Sequence, residues 1–177
     1  MTLIAFFVGC GITVKAGACP DDPAWKMQLL ERLNAMRAAG GDCAGVGTFA
    51  PAEEPMRWND TLEVVAAEQS AWMAEKGQLQ HAGRQGEGLG ERARRADYAF
   101  ERVGENVAMG YVRLEHVVQA WRASAKHCSN MMDPRYTEVA LACVRSTNGS
   151  WWAIALGRPR DEASQYARAR AISTPTR

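Results

Sequence analysis

Almost no net charge survives in this chain: 21 Lys and Arg offset 20 Asp and Glu to leave +1, which excludes recruitment of nucleic acid or an anionic membrane surface by charge alone. Long apolar runs are lacking too. The most apolar stretch, Thr2 to Val14 (TLIAFFVGCGITV), is about a dozen residues where a membrane-spanning helix needs about 20, so no transmembrane segment is expected. Histidine is scarce, with 3 in 177 residues, and none sits in an H-E-x-x-H metal motif. No internal repeat is visible. What remains is the composition of an ordinary globule, 47% hydrophobic and 23% charged, in a length that suits one monomeric domain with its own core.

The uncharged start runs into Lys15 and then Ala16-Gly17-Ala18, an A-x-A pattern that reads as a secretory signal over residues 1–18 with cleavage before Cys19. Secretion, or export to a periplasm, is therefore expected, although no Lys or Arg precedes the apolar run. A lipid anchor through Cys19 is the alternative. Cysteine usage agrees with export. Of the 5 cysteines, Cys10 falls within the signal and leaves Cys19, Cys43, Cys128 and Cys143, an even set of the kind that pairs in an oxidising compartment. Of the possible connectivities, the local one (19 with 43, 128 with 143) asks least of the chain, and closing the shorter loop would contribute about 3 kcal/mol.

Trp25 to Ala39 (WKMQLLERLNAMRAA) puts Leu29, Leu30, Leu33 and Met36 on one helical stripe and ends in Gly40-Gly41, a helix stop. A proline-containing connection follows. Asp60 and Glu63 resemble a capping box opening a helix from about Leu62 to Lys76, stopped by Gly77. Glu87 to Ala96 is a short helical candidate, and its Arg92, Arg94 and Arg95 read as a solvated face. Tyr98 to Gly110 reads as irregular chain. Arg113 to Ser124 is again helical, with Leu114, Val117, Val118 and Trp121 toward the core. Strands come late: Tyr136 to Val144 and Trp151 to Leu156 flank Asn148-Gly149, a hairpin signal. Helices followed by a hairpin predict an α+β domain over residues 19–160, with a polar tail over 161–177.

His81 and His127 lie just past predicted helix ends, where sites are built, whereas His116 reads as a solvated helix residue. Glu105 and Glu138 are the carboxylates that could converge with them. Separations of 24, 22 and 11 residues along this set match no local metal motif, and hydrogen bonds that merely tie loops to backbone are the plain alternative. Nucleophilic hydrolysis is disfavoured: Ser124 stands only three residues before His127, no Asp orienter is evident, and the mature cysteines are assigned to disulfides. No catalytic residue is therefore assigned.

Several segments occur in an order that resembles one known family. Read along the chain they are LLERLNAMRA, Met56-Arg57-Trp58-Asn59, His81, Gly104-Glu105-Asn106-Val107-Ala108, Trp121 to Asn130 with its S-x-x-H-x-x-N pattern, Tyr136-Thr137-Glu138-Val139 and the Trp-containing last strand. Over about residues 26–159 the chain resembles the CAP superfamily of cysteine-rich secretory, antigen 5 and pathogenesis-related proteins, in its secreted bacterial branch. The resemblance implies an α-β-α sandwich with a central antiparallel sheet and a cleft in which His81, Glu105, His127 and Glu138 hold a divalent metal such as zinc. It also implies binding of a small ligand, lipid, cell-wall fragment or peptide more than catalysis, with a metal-dependent hydrolase as the alternative. This sequence departs from the family at Ser124, where many members place a second cleft glutamate, at Asp97 and Ala140, where glycine is usual, and at Ala153.

Overall fold

In the computed structural model the described residues are Cys19 and 24–161. The predicted signal and nearly all of the predicted tail lie outside them. The elements run α1 (Trp25–Ala39), β1 (Gly41–Cys43), β2 (Gly47–Phe49), β3 (Arg57–Trp58), α2 (Asp60–Lys76), α3 (Leu89–Arg95), β4 (Phe100–Met109), α4 (Leu114–Ala123), α5 (Ala125–Met132), β5 (Glu138–Ser146) and β6 (Gly149–Pro159). A four-stranded sheet in the order β3-β5-β6-β4 forms the middle layer, antiparallel except where the short β3 runs parallel to β5. The α-β-α sandwich expected from the resemblance is the fold observed.

Alternation along the central strands divides the core in two. Ala140, Ala142, Ala153 and Ala155 face α2 and α3, where they meet Leu62, Val65, Ala66 and Met73. Small side chains on the sheet let α2 lie close. On the opposite face Val139, Leu141, Trp152, Ile154 and Leu156 are larger, and they pack against Leu29, Leu33, Val117, Trp121 and Met131 from α1, α4 and α5.

Several elements differ from expectation. The chain read as irregular after Tyr98 is β4, a ten-residue edge strand, because Gly104, Glu105 and Asn106 interrupt its apolar alternation without interrupting its pairing to β6. His127 is on a helix, α5, rather than past the end of one. The short β1-β2 hairpin fills the connection after α1. Asn59, not Asp60, caps α2, accepting from the Leu62 amide at 3.0 Å. Gly77 stops that helix at φ +66°, the left-handed conformation that glycine adopts without penalty. Asp97 has φ +61°, a left-handed conformation that suits glycine, the residue the family resemblance implies at this position.

Both disulfides are long-range and the local scheme is corrected: Cys19 pairs with Cys143 and Cys43 with Cys128, at Cα separations of 5.5 and 5.6 Å. Loop entropy concerns only the unfolded chain. In the folded one, β5 carries Cys143 about 17 Å beyond Glu138 at 3.3 Å per residue, away from Cys128, while β1 brings Cys43 against α5. The Cys19 sulfur is spent in a disulfide, which leaves no thiol for a lipid thioether on the same residue.

Candidate functional site

The Gly-Glu-Asn triplet of β4 organises the cleft, and each residue has its own task. A Cβ on Gly104 would collide with the Tyr136 hydroxyl, so only glycine lets that ring lie across the strand. Asn106, fully buried, donates to the His127 carbonyl at 3.0 Å and accepts from Asn130 at 2.9 Å. Asn130 also donates to the Glu105 carbonyl at 3.2 Å. These bonds fasten α5 along the free edge of β4 and set His127 beside it.

Glu105 points to the other face of the strand, where its side chain is only 5% exposed. Its Oε1 accepts from His81 Nδ1 at 2.8 Å, and its Oε2 is in a short contact with Arg92 Nη2 from α3, a side chain with no exposure at all. His81 sits on the segment after Gly77. Arg92 Nη1 donates to the His81 carbonyl at 3.0 Å, and Gln69 Nε2 of α2 donates to the neighbouring Gln80 carbonyl at 2.6 Å. With Nδ1 turned to Glu105, the other ring nitrogen of His81 is left for the cleft.

Of the four predicted site residues the structure joins His81 to Glu105, sets His127 on the adjoining helix, and places Glu138 elsewhere. Glu138 opens β5, opposite Gly157 on β6, whereas Glu105 on β4 is opposite Ala155. With β6 between them and strands about 4.8 Å apart, the two carboxylates belong to different places. Glu138 Oε2 accepts from Asn59 Nδ2 at 3.0 Å and from the Tyr98 hydroxyl at 2.8 Å, and burial followed by that carboxylate pushes the Tyr98 phenol well up. Arg92 is the site residue that sequence reasoning missed. Its signal was helical spacing: with Ala93, it is the buried side of α3.

The two imidazoles are driven apart. The Glu105 hydrogen bond raises His81 above the ordinary histidine range, and burial followed by the charge of His81 lowers His127 below it. Because the folded value is raised, the His81 contact stabilises the fold fully below the unfolded value of about 6.5 and is lost as pH rises through the folded one. Imidazole titration followed by NMR is expected to give His81 the higher midpoint, and Glu105→Gln to bring it down. The reverse order of midpoints would contradict this arrangement.

A histidine held by a buried carboxylate, with a second histidine on the adjoining helix, at one sheet edge of a disulfide-linked α-β-α sandwich defines a CAP-type cleft. The chain belongs to the cysteine-rich secretory protein (CAP) family, whose model matches residues 30–155. An uncharacterised protein, YkwD, from Bacillus subtilis is 26% identical over 129 residues, which is 73% of this chain and 45% of that protein, so the chain spans under half of that relative. An outer surface protein from Borrelia burgdorferi is similar in structure at a TM-score of 0.65 and 21% identity, over 78% of this chain and 96% of that one. An extracellular protein containing an SCP domain from Bacillus anthracis is similar at 0.62 and 18% identity, over 80% of this chain and 45% of that one.

The residues present do not fit the divalent metal that the family resemblance implies. Among the described residues no three His, Cys, Asp or Glu side chains are placed to hold an ion, and Glu105 is already neutralised by a buried guanidinium. A divalent ion sharing that carboxylate with Arg92 would lie on the order of 5 Å from it, where repulsion is roughly 7 kcal/mol at an effective dielectric of about 20. That is about half of the roughly 10–16 kcal/mol available from a complete structural zinc site.

Proposed function

We propose that this is an exported, non-catalytic binding domain whose cleft takes the polar head, and whose adjoining groove takes the apolar part, of a small amphipathic ligand. The carrying observation is a groove of about 300 Å³ between β4 and α4, lined by Val107, Ala108, Met109, Ala120 and Trp121, with His127 and Ser124 on its wall. Leu79 also lines it, and Leu79 and Met109 are 49% and 42% exposed, apolar area that a ligand would cover. Two disulfides support an oxidising compartment, and no helix among the described residues is long and apolar enough to cross a membrane. Catalysis finds less support. Glu105, with a donor on each oxygen, is not poised as a general base, and among the described residues no carboxylate is hydrogen-bonded to the His127 ring to orient it toward Ser124.

Titration with dodecanoate, read by calorimetry, tests this. Ala120→Phe, which fills the groove, and His127→Ala, which removes its polar contact, are each expected to weaken binding about tenfold, equivalent to about 1.4 kcal/mol. No binding by the wild type, or affinity unchanged in both variants, would sink the proposal.

A further inference from the structure

Sulfur chemistry in this domain falls to its methionines. All four cysteines among the described residues are joined in disulfides, so none offers a thiol to an oxidant. Of the 8 methionines all but Met1 are described, and Met36, Met56, Met73, Met131 and Met132 are at most 8% exposed. Met27 and Met109 stand in solvent, at 62% and 42%. Met27 belongs to the first turn of α1 and lines no part of the groove between β4 and α4. Met109, the last residue of β4, is the one sulfur among the described residues of that lining. Its backbone is held in place, because it pairs with the buried Trp151 on β6 and the next amide, Gly110 N, donates to the Ser150 carbonyl at 2.8 Å.

We infer that Met109 is an oxidation switch on the groove: its thioether takes an oxygen atom from hydrogen peroxide, and the sulfoxide weakens capture of an apolar chain until it is reduced. The sulfur gives up two electrons and gains the oxygen in a new S–O bond, while the O–O bond of the peroxide breaks and water leaves, so that no charge is added. A flexible apolar side chain becomes a polar one. Its oxygen is hydrated in the open groove, and an apolar ligand lying over it strips that water without replacing it. The opposition runs both ways, since a ligand that covers the sulfur also keeps peroxide from it. This inference rests on the groove reading proposed above and supplies the regulation of that same site.

Peptide mass mapping after exposure to hydrogen peroxide, followed by calorimetric titration of dodecanoate, decides it in wild type, Met109→Leu and Met27→Leu. Mapping is expected to find added oxygen on Met27 and Met109 and none on the five buried methionines. Oxidised wild type and oxidised Met27→Leu are each expected to bind dodecanoate about tenfold more weakly than before treatment, equivalent to about 1.4 kcal/mol. Met109→Leu has no sulfur to oxidise there, and its affinity after treatment is expected to equal its own affinity before it. Methionine sulfoxide reductases of both stereospecificities should return oxidised wild type to its starting affinity. Met109 left unoxidised, an unchanged affinity in oxidised wild type, an equal loss in Met109→Leu, or a loss that the reductases leave in place would overturn the inference. A wild type that binds no dodecanoate before treatment overturns the groove reading and this inference with it, whereas one that binds but does not respond to peroxide overturns this inference alone.

Discussion

Replacing Cys43 and Cys128 together by alanine is expected to lower the unfolding free energy by about 4–5 kcal/mol, the loop-entropy value for a bridge of sequence separation 85. The native state gives this bridge more to do than close a loop. Cys43 ends β1, and β1 and β2 are strands of three residues each, too small to hold together alone. Their attachment to the sandwich runs through Cys128 on α5. That residue follows His127, and two residues further on Asn130 binds the backbone of β4. Losing the bridge should therefore also loosen the wall of the groove, weakening dodecanoate at temperatures where the variant is still folded. Urea unfolding of the oxidised wild type against the double variant measures the first effect, and a loss under about 1 kcal/mol would show that the bridge carries little stability.

The long helices are legible in the sequence because their signals are local. Leu29, Leu33 and Met36 recur at helical spacing, and Gly77 stops α2 where only a left-handed residue fits. The His81–Glu105 contact is legible only through the order of family motifs, since no local pattern joins residues 24 positions apart. Three features stay hidden, each for a physical reason. The polar residues of α5 read as loop because Lys126, His127, Ser129 and Asn130 dilute its apolar face. Arg92 reads as solvated because burial of a guanidinium depends on acceptors contributed by distant segments, here Glu105 and His81. The disulfide partners escape a local reading because the unfolded chain favours short loops, whereas the fold sets β1 beside α5 and sends Cys143 along β5. Glu138 illustrates a further limit. It lies on the same sheet face as Glu105, yet the register across β6 gives it to Asn59 and Tyr98, and register follows from pairing rather than from residue type.

Arg37→Leu is expected to cost about 3 kcal/mol and to lower the melting temperature by roughly 10 °C for a domain of this size. Arg37 lies on the buried face of α1 at 2% exposure and donates to three carbonyls, those of Met131 at 3.0 Å, Asp133 at 2.8 Å and Tyr136 at 3.0 Å. Met131 and Asp133 stand at the end of α5, where the last carbonyls of a helix have no partner within it, and Tyr136 lies on the way into β5. One guanidinium thus closes α5 and fixes the turn that leads the chain back into the sheet. Each buried carbonyl left unpaired costs about 1–3 kcal/mol, which sets a gross loss well above the net one. The offset is real: burial pulls the Arg37 pKa down, and its Nε has no hydrogen-bond partner, so leucine also removes an expensive charge from the core. Three carbonyls outweigh that relief, because water cannot reach them without opening the contact between α1 and α5. Arg37→Lys keeps the charge but not the planar fork, and should fall between leucine and the wild type. Urea unfolding of both variants checks the ranking; a leucine variant within about 1 kcal/mol of the wild type would mean that the three carbonyls find other donors.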